Sequence, residues 1–158
     1  MRRILHLARR FFESLRSRPL DPDEQDRVAE WLGEGQSSLF WRQQVLDQRH
    51  GLGCADLVAG RHPDRPDLIR AALLHDIGKR HSHLGVLGRV AASGLSLLHL
   101  PAPGRLGAFL AHGALGADDL AAAGAESIVV GFAAGHHGPC PPGFDASDWA
   151  VLREADGE

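Results

Sequence analysis

The sequence predicts an all-α domain. Three observations carry that prediction. Apolar positions recur at helical spacing in one segment after another, as on the stripe of Leu39, Leu46, Gly53 and Leu57. Helix-start and helix-stop residues separate those segments: Asp21-Pro22 and Ser127 open helices, and Gly60 and Gly124 close them. Strand signals are nearly absent. The 158 residues, 44% hydrophobic and 23% charged, suit one domain with a real core.

Residues 1–18 read as a basic amphipathic helix with Ile4, Ala8, Phe11, Phe12 and Leu15 on one face. Docking on the chain's own domain is favoured over contact with an anionic membrane surface. Next, Asp21 caps a helix with Pro22 in its first turn and Glu24 completing a capping box. That helix runs through Val28, Trp31 and Leu32 to Gly33 or Gly35. Ser37 or Ser38 starts another, expected to reach Val58 and stop at Gly60. After a connector at Pro63–Asp67, Leu68–Ile77 is apolar almost all round, as a buried central helix should be. Residues 84–99 form a Gly-rich apolar helix. Arg105–Ala123 and the segment from Ser127 to Ala134 follow as two more. Pro139–Phe144 is a turn or lid, and the last helix runs from Trp149 to Asp156 behind a cap at Asp145 or Ser147.

The net charge of −3 gives no bulk attraction to nucleic acid. Its distribution is uneven. Residues 1–18 hold six Arg and one Glu, leaving 11 basic and 19 acidic residues in the remainder. Cys54 and Cys140 lack zinc-finger spacing, and no secretory signal stands out, so a reducing cytoplasm is expected. No apolar run reaches the ~18 residues of a membrane span. Ten His is a high count for this length.

The apolar run ends in Leu74-His75-Asp76-Ile77-Gly78-Lys79. A neutral imidazole nitrogen beside a carboxylate that can bridge two ions is half of a metal site. Buried without such a partner, the pair would be costly. His50 precedes it, His112 and the adjacent His136-His137 follow, and Asp156 lies near the end. An imidazole on an apolar stripe is ordinarily a core side chain, but the His-Asp pair that follows turns His50 into a candidate ligand. Asp47, three residues before it, could orient it, serve as an extra ligand, or be a surface charge. Cys54, one turn after it, reads as core. His81 and His83 read as surface residues.

The order His, His-Asp, further His, final Asp resembles the HD-domain metal-dependent phosphohydrolases. The added His-His resembles the binuclear HD-GYP subset. The resemblance spans roughly residues 39–156. It implies a bundle of about seven helices around the Leu68–Ile77 helix, with residues 19–158 as a single HD-like domain. It also implies hydrolysis of a small phosphorylated substrate, a nucleotide or dinucleotide. The chain departs from HD-GYP proteins in several places. Gly138 follows His137 where that subset has Glu, and Gly143-Phe144-Asp145 stands near the position of Gly-Tyr-Pro. Cyclic-di-GMP is therefore not the favoured substrate.

His50, His75, Asp76, His112, His136, His137 and Asp156 exceed what one ion takes from protein. Two divalent ions sharing Asp76 and a bridging hydroxide are expected, which lowers the pKa of water and clamps a phosphoryl group. Iron or manganese is favoured, with zinc, cobalt or nickel as alternatives. Asp76 and Lys79 are the candidate catalytic residues, Lys79 steadying phosphate charge. The competing reading is a non-catalytic metal- or nucleotide-binding signalling module on the same helices.

Overall fold

Asp21 and Glu24 close the expected capping box. Glu24 N donates to Asp21 Oδ1 at 3.0 Å, and Asp21 N donates to Glu24 Oε2 at 2.8 Å. It starts α1 (Pro22–Trp31) in the computed structural model, which describes residues 18–157. The helix expected over residues 1–18 lies outside the described residues, save Arg18, whose carbonyl accepts from Arg49 Nε at 2.7 Å.

Eight more α-helices follow: α2 (Glu34–Trp41), α3 (Val45–Arg61), α4 (Pro66–Leu74), α5 (Val86–Leu97), α6 (Arg105–Leu110), α7 (His112–Ala122), α8 (Ser127–Gly135) and α9 (Ala146–Asp156). A 3-10 turn, Ile77–Ser82, lies between α4 and α5. No strand occurs among the described residues, and none of their helices is long and apolar enough to cross a membrane.

Among the described residues nine α-helices replace the expected seven or so, because two expected helices are broken. The first break, at Arg42–Gln44, is held open by side-chain amides. Gln48 Nε2 donates to the Trp41 and Gln43 carbonyls at 3.3 and 3.0 Å, taking up acceptors that a continuous helix would satisfy. The second break is at Ala111, between α6 and α7. The central helix also ends early. Leu74, not Ile77, is its last residue, and His75 and Asp76 form the corner before the 3-10 turn.

Leu68, Ile69 and Ala71–Leu74 of α4 are all buried. Leu73 and Leu74 each remove a side chain from water, worth about 2 kcal/mol apiece. The helix packs against α3, α8 and α9. On α3, Gly51 lets the Leu73 carbonyl come close: a Cβ there would lie 2.5 Å from that oxygen.

Gly78 sets how near the 3-10 turn lies to α7. A Cβ at Gly78 would stand 1.9 Å from the His112 carbonyl oxygen and 2.6 Å from Gly116 N, both fixed backbone atoms. Gly78→Ala is therefore expected to cost about 3 kcal/mol or more. Gly53→Ala, on α3 with nothing within 4 Å of its Cβ, should gain roughly 0.5–1 kcal/mol. Denaturant midpoints of the two variants moving in the same direction would contradict this account.

Candidate metal centre

The corner after α4 places His75 and Asp76, both buried, at the end of that buried helix. α3 brings His50, the start of α7 brings His112, the end of α8 brings His136 and His137, and the last residue of α9 is Asp156. All seven residues expected as ligands converge on one place.

Asp76 sits at the middle of the cluster. Its Oδ2 is 3.4 Å from His75 Nε2 and 3.9 Å from His50 Nε2. Its Oδ1 is 3.2 Å from His112 Nε2 and 3.6 Å from His136 Nε2. The two oxygens thus address two different sets of imidazoles. On the first side Asp156 Oδ1 lies 2.8 Å from His50 Nε2 and 3.3 Å from His75 Nε2. On the second, His112 Nε2 stands 3.3 Å from His136 Nε2 and 3.2 Å from His137 Nε2.

Three of the rings are oriented by the helix that precedes them. His75, His112 and His136 each direct Nδ1 to the carbonyl three residues back, at Ala72 (2.8 Å), Phe109 (2.6 Å) and Ala133 (3.0 Å). A carbonyl only accepts, so each Nδ1 carries hydrogen and each Nε2 faces the centre. Burial pushes His136 down to about 4, against the pull of the Asp76 carboxylate, so its Nε2 is a bare lone pair at neutral pH. It points at the inward nitrogen of His112. That lone pair is available to a cation lying between the two rings. His75 Nε2 is buried and makes no hydrogen bond among the described residues. Phe132 lies against His75 and His136, with ring centroids 5.8 Å from each, and gives this part of the cluster an apolar wall.

Burial opposes charge on both Asp76 and Asp156. It is outweighed by Lys79 and His75 around Asp76, and by His75 and His50 around Asp156, so both carboxyls are held far below the usual range. Burial would likewise lower His75, but the Asp76 and Asp156 carboxylates hold it well above its ordinary value. Protonated His75 thus stabilises the metal-free fold below about pH 6.5, and that contribution is lost as pH rises through the raised value. A metal ligand must instead be neutral. Metal binding near pH 7 is therefore expected to expel about one proton from His75, with affinity rising with pH by up to roughly tenfold per unit. Titration calorimetry in two buffers of different ionisation enthalpy measures that proton. Equal heats in both would contradict it.

Neutral nitrogen donors with hard carboxylate oxygens fit a divalent transition ion, and these buried His and Asp groups can hold one. Lys79, also buried, places its ammonium directly on Asp76 Oδ2.

Neither a family model, nor a curated protein, nor a solved structure matches the chain.

Several neighbours of the centre differ from what their residue types suggested. Asp47 is neither a ligand nor a surface charge and does not orient His50. It is buried, and Arg89 on α5 holds both its oxygens at 2.6 Å. The Arg89 guanidinium lies 5.7 Å from the Phe109 ring centroid, and Phe109 supplies the carbonyl that orients His112. Cys54 is buried, as expected of a core residue, but its Sγ lies 3.7 Å from His50 Nε2. The four-residue spacing from His50 was the available signal for that contact. His81 and His83 are both exposed, as expected, and His81 also meets Asp119 at 2.7 Å. On the solvent side an open cleft of about 380 Å³ reaches His136 and His137 between Leu110, Gly113 and Ala134. His137 is the exposed member of the cluster.

Proposed function

We propose that the cluster holds two divalent transition-metal ions and that the protein is a metal-dependent phosphohydrolase acting on a small phosphorylated substrate, a nucleotide or dinucleotide. The observation that carries this reading is the set of inward imidazole nitrogens divided between the two oxygens of Asp76. His50, His75 and Asp156 would hold one ion and His112, His136 and His137 the other, with Asp76 shared. The order of these residues along the chain, and its resemblance to HD-domain hydrolases, supports the choice of reaction.

Bound there, such ions supply an acidified water and positive charge for a phosphoryl group. The chain's own residues do the remainder. The carbonyls of Ala72, Phe109 and Ala133 hold three imidazoles in one tautomer. Phe132 keeps water from the buried side. Lys79 holds a positive charge beside Asp76, where it can offset charge gathering on phosphate oxygens. The open cleft beside His137 would give a phosphate group a route from solvent to the cluster.

Elemental analysis of anaerobically purified protein, followed by a panel of nucleotides, dinucleotides and simple phosphate esters, tests the reading. Bound transition metal with metal-dependent phosphate release is the expected result. Metal without release from any ester would leave a metal-binding module, and absence of metal would overturn the reading.

A further inference from the structure

The sulfur of Cys54 belongs to the centre by position. It lies one turn after His50 on α3, so the two side chains share a face. Cys54 is 3% exposed, and its Sγ lies 3.7 Å from His50 Nε2 and 3.9 Å from His50 Nδ1. His50, Cys54 and Asp156 each offer an atom within 4.8 Å of the other two. Bonds of about 2.3 Å to sulfur and 2.0–2.1 Å to nitrogen space those two atoms about 3.1–3.6 Å apart for angles from a right angle to tetrahedral. The observed separation is close to that, so sulfur can be reached without moving α3.

We propose that Cys54 is a thiolate ligand to the ion on the His50 side, making with His50 and Asp156 a mixed sulfur, nitrogen and oxygen set that selects zinc, iron(II) or cobalt(II) over manganese. The inference rests on the proposed metal-holding role of the cluster and adds to it a ligand and a metal preference. Soft thiolate favours zinc and iron, whereas a set of imidazole and carboxylate alone leaves manganese competitive. The Sγ–metal bond forms as the thiol proton leaves to solvent, and no electrons are transferred.

The test uses the full chain carrying Cys140→Ser, which leaves Cys54 as its one thiol. This protein is loaded anaerobically with cobalt(II) and its absorption recorded. Visible ligand-field bands together with a near-ultraviolet sulfur-to-cobalt charge-transfer band are expected. Adding Cys54→Ser should remove the charge-transfer band and keep the visible bands. Cobalt and zinc affinity should fall by at least about tenfold, the scale on which groups that merely support a ligand act. Manganese affinity should stay the same. Visible bands without charge transfer in the Cys140→Ser protein would overturn the role of Cys54 while leaving the metal site standing. Absence of both would overturn the metal site and the inference with it. The first spectrum needs no change at position 54, so the outcome does not depend on how Cys54→Ser folds.

Discussion

Asp76→Ala is expected to lose both ions and all metal-dependent hydrolysis at once. The reason lies in how its oxygens divide. Oδ2 faces His75 and His50, and Oδ1 faces His112 and His136, so a single truncation removes an anionic ligand from both halves. Truncation also strands the Lys79 ammonium in a buried site, which destabilises the fold by itself. Asp76→Asn separates the two effects, keeping shape while removing charge. It should fall by on the order of 10³ or more in rate, because several kcal/mol of charge stabilisation goes with the metal. Lys79→Ala should keep both ions and slow turnover by roughly 10²-fold, as loss of one positioned donor does. Elemental analysis beside steady-state rates reads both variants. Full metal content in Asp76→Asn would remove the basis for a shared carboxylate.

The second large effect concerns the other half of the site. His112→Ala should leave about one ion per chain and a severe loss of hydrolysis. His112 Nε2 is the hub of that half, within 3.3 Å of His136 Nε2, 3.2 Å of His137 Nε2 and 3.2 Å of Asp76 Oδ1. The surviving ion should be the one held by His50, His75, Asp156 and Asp76. Anaerobic metal-to-protein ratios before and after the substitution decide the matter. A ratio near one in the wild type, unchanged in His112→Ala, would leave a mononuclear site with a surplus imidazole cluster.

The all-α class was legible in the sequence because it is written locally, and the convergence of seven His and Asp residues was legible in their order along the chain. Caps, stops and helical spacing lie within a turn or two of one another, and the candidate ligands fall at helix starts, faces and ends. What escaped is set by partners far away in the chain. Nothing near Asp47 announces Arg89, 42 positions later, as the group that takes both its oxygens. The break before α3 depends on Gln48 reaching back to carbonyls across a gap with no Gly or Pro in it. The early end of α4 is likewise unmarked, since apolar residues continue into the turn. Gly78 looked like part of a motif, and its physical role is close approach to the His112 carbonyl, 34 residues on. Cys54 was read by its hydrophobic neighbours, whereas its sulfur meets an imidazole.

The cluster also gathers chain ends. α4 stops at Leu74 beside His75, α8 stops at Gly135 beside His136, and α9 ends on Asp156 itself. Each helix presents roughly half a negative elementary charge at its C-terminus through its unshared carbonyls. Three such termini and two ionised carboxylates outweigh the one N-terminus that α7 brings and the charges of Lys79 and protonated His75, so the metal-free place favours cations over oxyanions. Phosphate should therefore leave the metal-free protein's melting temperature unmoved and raise it only once metal is present. If the proposed function holds, this polarity sets an expected order of binding, with the cation entering first and a phosphate ester only after it.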